Sequence, residues 1–295
     1  MRAHQIRSAL LGVIRRGDRQ VLWVPDNVNF GNFLYHWLRA YKDQRTGLDT
    51  VARRTPAMEP WLAQIPEASR LVIAPDQVGF FDRRVMGMLQ DWGVDYDGTA
   101  LHAFIREVLL PSQTLTRSPA TELGEDDLMV NVRRGDYYAN PAHFATYAFD
   151  QAEYLRRALV AARDQDGPIP RIHVVSDGLD WCRTHLTWTA DFAPRVTFAD
   201  PGETARDNFA TIANARRIVL TNSTFGYWAG YVSNVIHLAR GEDNRASVIA
   251  PWFHARIGDG KAEQLDPRWC AIREPVWELP PAPGTTFDES DKSTL

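Results

Sequence analysis

Short apolar runs alternate with helical patterns throughout the second half of this 295-residue chain. The runs have the length and composition of buried strands, and they lie at residues 128–132, 172–175, 196–198, 218–220 and 248–250. Consecutive strands separated by helices join through crossover connections, so the alternation predicts a mostly parallel sheet in an α/β fold. No other feature of the chain constrains the fold as strongly.

The first half has fewer such elements. Apolar runs at 21–24 and 71–74 predict strands, and residues at three and four residue steps predict helices around 33–41 and 101–109. Between 112 and 127 the composition becomes polar, which is typical of a linker. We therefore predict an N-terminal domain of residues 1–122, a C-terminal domain of residues 123–279 and a mobile tail of residues 280–295.

The overall composition excludes several classes of protein. A net charge of -4 argues against a nucleic-acid-binding protein, which usually carries a basic surplus. Two cysteines are too few for a disulfide framework and favour a reducing compartment, so we expect a cytoplasmic protein. The longest apolar run near the start, at residues 9–14, is too short to span a membrane, and we predict no transmembrane segment.

Unusual residues follow the predicted strands. Arg-Arg-Gly-Asp lies at 133–136, Ser-Asp-Gly at 176–178 and Thr-Asn-Ser-Thr-Phe at 221–225. In open parallel sheets, ligands bind beyond the carboxyl ends of the strands, where helix N-termini expose unpaired amides. A guanidinium group presents a rigid fork of donors that matches phosphate oxygens. These motifs together predict a phosphate site.

Each motif has a simpler explanation when it is taken alone. Arg-Arg-Gly-Asp occurs a second time at 15–18, without any supporting motif, and is then only a surface turn. The Ser and Thr residues at 223–224 could serve only to cap a helix. Asp177 could equally be a loop-capping residue. The prediction of a site depends on the order in which the motifs occur together.

That order resembles the alpha-1,2-fucosyltransferases of glycosyltransferase family 11. The similarity covers approximately residues 128–253 and includes Arg-Arg-Gly-Asp-Tyr, then Ser-Asp, then Asn-Ser-Thr-Phe-Gly-Tyr-Trp. The Gly31-Asn32 pair is similar to the glycine-rich loop at the N-terminus of family members. The resemblance implies two Rossmann-like domains that face each other across a cleft, which is the GT-B architecture.

The resemblance also implies a reaction. An inverting transferase would move L-fucose from GDP-fucose to a hydroxyl of a glycan acceptor, expected to be galactose O-2. GDP-fucose would lie mainly against the C-terminal domain, and the acceptor against the N-terminal domain. The residues expected to contact the nucleotide are Arg133, Arg134, Asp177, Asn222, Ser223, Thr224, Phe225, Gly31 and Asn32. Among them Arg133 is the expected main contact, because it could stabilise negative charge on the departing diphosphate.

Three positions depart from the family pattern. Asn131 stands where the family usually has histidine, Gly178 replaces the second acidic residue of the Ser-Asp-Asp motif, and Phe33 replaces a glutamine. Asparagine cannot shuttle a proton. Two alternatives therefore stay open, namely a transferase that uses another GDP-sugar or linkage, and a catalytically silent member that binds nucleotide or glycan.

The catalytic base and the metal requirement are less constrained. Asp26 and Asp136 are the candidates for a base that accepts the proton of the acceptor hydroxyl. Asp95-Tyr96-Asp97 matches the Asp-x-Asp string with which transferases of another fold hold a divalent ion. Such a tripeptide arises easily by chance, and fixed arginines would make an ion unnecessary. We expect no metal and no other cofactor.

Overall fold

The computed structural model describes residues 17–87, 89–112, 115, 121–241 and 246–273. Within these residues the strands form two sheets, one of four strands and one of six. Every pairing between named strands is parallel. The predicted mobile tail at 280–295 and the arginines of the first Arg-Arg-Gly-Asp copy lie outside the described residues.

The first sheet has the strand order β3-β2-β1-β4. Its strands are β1 (Gln20–Leu22), β2 (Thr50–Arg53), β3 (Val72–Ile73) and β4 (Arg83–Val85). The helices of this half are α1 (Phe30–Arg45), α2 (Glu59–Leu62) and α3 (Gly98–Phe104), which continues as a π-helical turn over Ile105–Leu109. Short 3₁₀ segments at 56–58, 66–71 and 75–77 complete the connections.

The second sheet has the order β10-β9-β8-β5-β6-β7. Its strands are β5 (Leu128–Val132), β6 (Arg171–Ser176), β7 (Arg195–Phe198), β8 (Arg217–Leu220), β9 (Ser247–Pro251) and β10 (Cys270–Ile272). If β5 is counted as the first strand of this sheet and β10 as the sixth, the order read from the β7 edge is 3-2-1-4-5-6. This is the strand order of dinucleotide-binding Rossmann folds. The direction of winding therefore reverses between β5 and β8.

Helices separate consecutive strands of the second sheet from β5 to β9. They are α4 (Gly135–Ala139), α5 (Pro141–Tyr147), α6 (Gln151–Asp166), α7 (Leu179–His185), α8 (Ala205–Asn214) and α9 (Thr224–Leu238). A 3₁₀ segment at Thr187–Asp191 precedes β7.

Helix α6 illustrates how sequence signals set these boundaries. The Asp150 carboxylate accepts a hydrogen bond from the amide of Glu153 at 3.0 Å, which satisfies a donor that the first turn leaves unpaired. Gly167 ends the helix with a φ of 80°, a conformation that glycine adopts without strain. The predicted apolar stripe is buried, as its members Tyr154, Leu155, Leu159 and Ala162 show.

The two sheets are joined by packing between α1 and α9. The rings of Tyr35 on α1 and Trp228 on α9 lie 5.0 Å apart, and both side chains are buried. One continuous apolar cluster includes residues of both halves, and a second cluster lies beneath α6. Burial of large aromatic rings supplies most of the free energy in such contacts, so the relative position of the two units is fixed by their shared core.

The predicted α/β class with two parallel, Rossmann-like sheets is confirmed. The strand predictions at 128–132 and 218–220 agree with β5 and β8 to within one residue. Strands β2, β4 and β10 were missed, because each is short or carries charged residues such as Arg83 and Arg84. None of the helices in the described ranges is long and apolar enough to cross a lipid bilayer.

Candidate functional site

The reversal between β5 and β8 brings two of the predicted motifs together. The amide of Thr221, after β8, donates to the carbonyl of Asn131 on β5 at 3.1 Å. The amide of Arg133 donates to Oγ1 of Thr221 at 2.8 Å. The Arg-Arg-Gly-Asp and Thr-Asn-Ser-Thr segments therefore lie side by side at the crevice where ligands bind in folds of this order.

Arg133 is held in place by two carboxylates. Its Nη1 donates to Oδ2 of Asp177 at 2.6 Å, and its Nη2 contacts Oδ1 of Asp136. The guanidinium carbon lies 5.1 Å from the ring centre of Tyr137. A guanidinium has five N–H groups, so three of them have no partner among the described residues. The side chain is about a quarter exposed (27%), which leaves it accessible to a ligand.

Arg134 has a different environment. Its guanidinium carbon lies 3.4 Å from the ring centre of Tyr138 and 4.0 Å from that of Trp181, so the group is packed between two aromatic faces. Burial lowers the pKa of this guanidinium, although arginine stays protonated at physiological pH. Nη1 also lies 3.4 Å from Oε1 of Gln151. Arg134 therefore anchors the loop, while Arg133 points to the accessible side.

Two glycines are required where these loops meet. Gly135 has a positive φ of 22°, and a Cβ there would lie 2.4 Å from Oδ2 of Asp177. A Cβ at Gly178 would lie 2.6 Å from Cβ of Arg134. Both distances are well below van der Waals contact. An acidic residue at position 178 would therefore collide with Arg134, which gives the departure from the family pattern at this position a steric reason.

The N-terminus of α9 faces the same crevice. Ser223 precedes the helix without capping it through its side chain, and the first turn contains no acidic residue. The amides of Thr224, Phe225 and Gly226 are the first three of the helix and have no intrahelical partner. Such a terminus favours an anion through its unpaired amides and the helix dipole. Asn131 lies against it, since a Cβ on Gly226 would be 2.7 Å from Asn131 Oδ1.

A second helix N-terminus approaches from the other sheet. Gly31, in the first turn of α1, lies so close to α9 that a Cβ there would be 2.5 Å from the amide nitrogen of Phe225. Asn29 precedes α1 and also makes no side-chain cap, and that first turn has no acidic residue. The predicted Gly31 loop and the segment 223–225 are therefore in direct contact, although they are almost 200 residues apart in the sequence.

Other predicted nucleotide contacts have structural partners. Asn222 is buried, and its Nδ2 donates to the carbonyls of Tyr147 and His254 at 2.8 and 2.9 Å. The Phe225 ring packs against Phe209 at 5.4 Å. Oδ1 of Asn32 accepts from Gln90 at 3.3 Å. These residues shape the crevice between the sheets, and their contacts with a nucleotide stay predictions.

The predicted acidic residues lie in three different places. Asp136 belongs to the Arg133 cluster, whereas Oδ1 of Asp26 pairs with Nη1 of Arg53 at 2.9 Å on the first sheet. Asp95 accepts from the amide of Asp91 at 2.8 Å, and Asp97 caps α3 through the amide of Ala100 at 2.8 Å. The Asp-x-Asp carboxylates therefore stabilise a turn and a helix start. No group of three or more His, Cys, Asp or Glu side chains in the described ranges could hold a metal ion.

Sequence reasoning missed the residues that surround Arg133. Gln151 Nε2 donates to the carbonyl of Arg133 at 2.7 Å, and the rings of Tyr137 and Tyr147 stack at 4.4 Å. His143 lies 3.1 Å from Asp136 through Nδ1. The position of His143 seven residues after Asp136 was the available signal, since two turns of helix place such residues on one face. In the structure the two short helices α4 and α5 produce the contact instead.

Two packed units with parallel sheets, and an arginine at the switch point of the second, agree with the GT-B architecture that the sequence predicts. Residues 100–244 of this chain match the sequence model of Glycosyl transferase family 11.

Named relatives agree with this assignment. Galactoside alpha-(1,2)-fucosyltransferase 1 of Bos taurus is 33% identical over 146 residues, which are 47% of this chain and 39% of the relative. The Homo sapiens protein of the same name is 34% identical over 159 residues, 51% of this chain and 40% of that protein. The chain thus spans about two fifths of the length of these relatives.

Among solved structures, POFUT1 in complex with GDP-fucose aligns with a TM-score of 0.38 and 8% identity over 79% of this chain and 74% of that chain.

Proposed function

We propose that this protein is an inverting glycosyltransferase that transfers L-fucose from GDP-fucose to a hydroxyl of a glycan, with galactose O-2 as the acceptor position. One observation carries the proposal. Arg133 lies at the switch point of a Rossmann-ordered sheet, beside the uncapped N-terminus of α9. Both elements fall inside the region that matches family 11.

The chemistry of the site suits this reaction. When the bond between the sugar and the diphosphate breaks, negative charge develops on the leaving GDP. Donors that are fixed before the reaction stabilise that charge most effectively, because they need no reorganisation. The three remaining N–H groups of Arg133 and the amides of residues 224–226 are donors of this kind. We assign the main phosphate contact to Arg133, and the hydroxyls of Ser223 and Thr224 to the remaining phosphate oxygens.

The carboxylates around Arg133 oppose the binding of a diphosphate. Arg133 and Arg134 carry two positive charges, and Asp136 and Asp177 carry two negative ones, so the cluster is formally neutral. A diphosphate must therefore compete with Asp136 and Asp177 for Arg133, or use the donors that they leave free. Orientation by the carboxylates offsets part of this cost, since an immobilised guanidinium loses less entropy on binding.

The remaining assignments are proposals of the same kind. Asp26 and Asp136 are candidates for the base, although each is ion-paired with an arginine. Transfer without a metal ion is proposed because Arg133 and the helix amides supply the positive potential. Turnover that persists in excess chelator supports this point, and turnover that depends on added Mg²⁺ or Mn²⁺ contradicts it.

The test begins with ligand binding. GDP, GDP-fucose and GDP-mannose are compared by the thermal shift of the full chain. A ligand at about 100 times its Kd stabilises the native state by about 2.7 kcal/mol. We expect a rise in Tm with GDP and GDP-fucose that is lost in Arg133→Ala. Arg157→Ala is the matched control, because the one ion pair of Arg157 among the described residues is an exposed helix pair with Glu153 in the same domain.

Turnover is then measured as GDP release from GDP-fucose with galactosides as acceptors, and the product linkage and anomeric configuration are determined by NMR. We expect an alpha-1,2-linked product whose formation stops in Arg133→Ala and continues in Arg157→Ala. A product with retained configuration at the sugar carbon contradicts inversion. If GDP is released from another GDP-sugar and not from GDP-fucose, the proposed donor is wrong.

A second function is favoured by the neutral charge around Arg133 and by Asn131, which cannot accept a proton. A module that binds nucleotide or glycan without turnover would have both features. Tight GDP binding together with no GDP release from any sugar nucleotide, with or without acceptor, would support this alternative against the enzyme.

A further inference from the structure

His143 forms the outer end of a chain of side-chain contacts that begins at Arg133. Its Nδ1 lies 3.1 Å from Oδ2 of Asp136, whose other oxygen, Oδ1, contacts Nη2 of Arg133. The Nδ1 contact is close but not aligned as a hydrogen bond. Somewhat less than half of the His143 side chain (43%) is exposed, so Nε2 can reach a ligand.

The other groups at the site are poorly suited to accept a proton. Asparagine at 131 has no basic atom. Asp136 contacts a guanidinium through one oxygen and an imidazole through the other, so both of its oxygens already have partners. Asp26 is paired with Arg53.

His143 differs from the other described histidines in its environment. Burial lowers the pKa of His36, His173 and His254 to about 4, so these side chains stay neutral at physiological pH. Among the described histidines only His143 lies within 4 Å of a carboxylate oxygen. A carboxylate beside one imidazole nitrogen fixes the tautomer and orients the ring, which leaves the second nitrogen free as a proton acceptor.

This inference rests on the proposed fucosyl transfer. We propose that His143 is the general base of that reaction and that Asp136 is the residue that positions it. The acceptor oxygen forms a bond to C1 of the sugar while the bond from C1 to the β-phosphate oxygen breaks. The electron pair of that bond leaves with GDP, and the proton of the acceptor hydroxyl passes to Nε2 of His143.

The groups that face His143 determine how its protonation affects the rate. Asp136 lies beside the imidazole, and Arg133 lies on the far side of Asp136. The Tyr147 ring lies 6.1 Å from the His143 ring, and His254 lies beyond Tyr147 at 5.9 Å. Because only the neutral imidazole accepts a proton, kcat should fall when acid protonates it.

The experiment compares His143→Asn and His143→Gln with His185→Asn in the full-length protein. His185 is an exposed histidine that stacks on Trp181 at 5.0 Å, without a carboxylate contact among the described residues, and it is the matched control. We expect kcat of both His143 variants to fall by about 100-fold or more, the range that a general base contributes. The affinity for GDP should stay unchanged, the acidic limb of the pH profile should disappear, and added imidazole should restore part of the rate.

The outcomes separate the two proposals. Wild-type kcat and an unchanged acidic limb in both His143 variants would overturn the role of His143 and leave fucosyl transfer standing. A loss of kcat without a change in the pH profile and without rescue by imidazole would also overturn the role of His143 as a base. Such a loss would indicate that His143 has a purely structural role. Absence of GDP-fucose turnover in the wild type, with GDP binding intact, would overturn fucosyl transfer and with it the role of His143.

Discussion

Oδ2 of Asp177 accepts a hydrogen bond of 2.6 Å from Nη1 of Arg133. The other oxygen of the same carboxylate accepts from the amide of Arg134, also at 2.6 Å. Asp177 follows β6 and the arginines follow β5, so this carboxylate fixes one loop against the other. The guanidinium that we assign to the phosphate is thus oriented before any ligand arrives.

Replacing Asp177 by alanine should therefore release Arg133 from its position. We expect kcat to fall by about 100-fold, since misplacement of a catalytic group by roughly 1 Å has an effect of that order. Affinity for GDP should weaken less, because the guanidinium stays present. Steady-state kinetics and GDP titration measure the two effects. Asp180→Ala is the control, because Asp180 is exposed and its carboxylate pairs with Arg183 alone among the residues that the structure describes. Equal losses in both variants would contradict the positioning role.

Arg134 should contribute to stability more than to nucleotide binding. Replacement by lysine removes the planar group that packs between Tyr138 and Trp181. Contacts of this kind contribute about 0.5 to 2 kcal/mol each. We expect a lower Tm for Arg134→Lys, with GDP affinity reduced far less than in Arg133→Lys. A normal Tm combined with loss of GDP binding would instead place Arg134 at the phosphate.

The contact between the two helix N-termini predicts a sensitive position at Gly31. A methyl group there would lie 2.5 Å from the backbone of Phe225, so Gly31→Ala must push α1 and α9 apart. Overpacking of this kind costs about 1 to 3 kcal/mol. The shift in Tm is measured by calorimetry, together with GDP affinity.

Gly98→Ala provides the control for that substitution. Gly98 is also in the first turn of a helix, and a Cβ there would meet only the Trp92 ring, at an ordinary 3.6 Å. This variant should be as stable as the wild type. Similar behaviour of the two variants would show that α1 and α9 do not need their close approach.

The buried histidines predict how stability depends on pH. Burial lowers the pKa of His36 to about 4, whereas an unfolded histidine titrates near 6.5. Between these values the unfolded chain binds more protons than the native state, so stability rises with pH in this window. The stability that neutral His36 contributes is fully present above about pH 6.5 and is lost as the pH falls toward 4. The loss is at most about 1.4 kcal/mol per pH unit for each such histidine.

The measurement is Tm as a function of pH for the wild type and for His36→Leu. The variant lacks one of these protonation sites and should lose less stability between pH 6.5 and pH 5. His173 and His254, whose pKa values burial also lowers to about 4, stay in place and maintain the remaining slope. An identical slope in the two proteins would contradict the assignment to His36.

Much of the second sheet could be predicted from local patterns. Strands β5 and β8 are buried apolar runs, and the residues that begin and end α6 have specific local roles at Asp150 and Gly167. These signals act over a few residues and leave a direct trace in the sequence. Strand β4 has no such apolar pattern, because it lies at a sheet edge where Arg83 and Arg84 can remain exposed.

By itself, the sequence determined the α/β class, the motifs that follow the strands and the choice of Arg133 as the central cation. Only the tertiary structure decided that Arg134 packs between two rings, that Asp177 orients Arg133, and that His143 lies beside Asp136. The physical reason is the distance along the chain over which each kind of interaction acts. Hydrophobic periodicity and capping are properties of neighbouring residues, whereas the direction of a charged side chain depends on partners from other loops, which only the packed fold brings within contact distance.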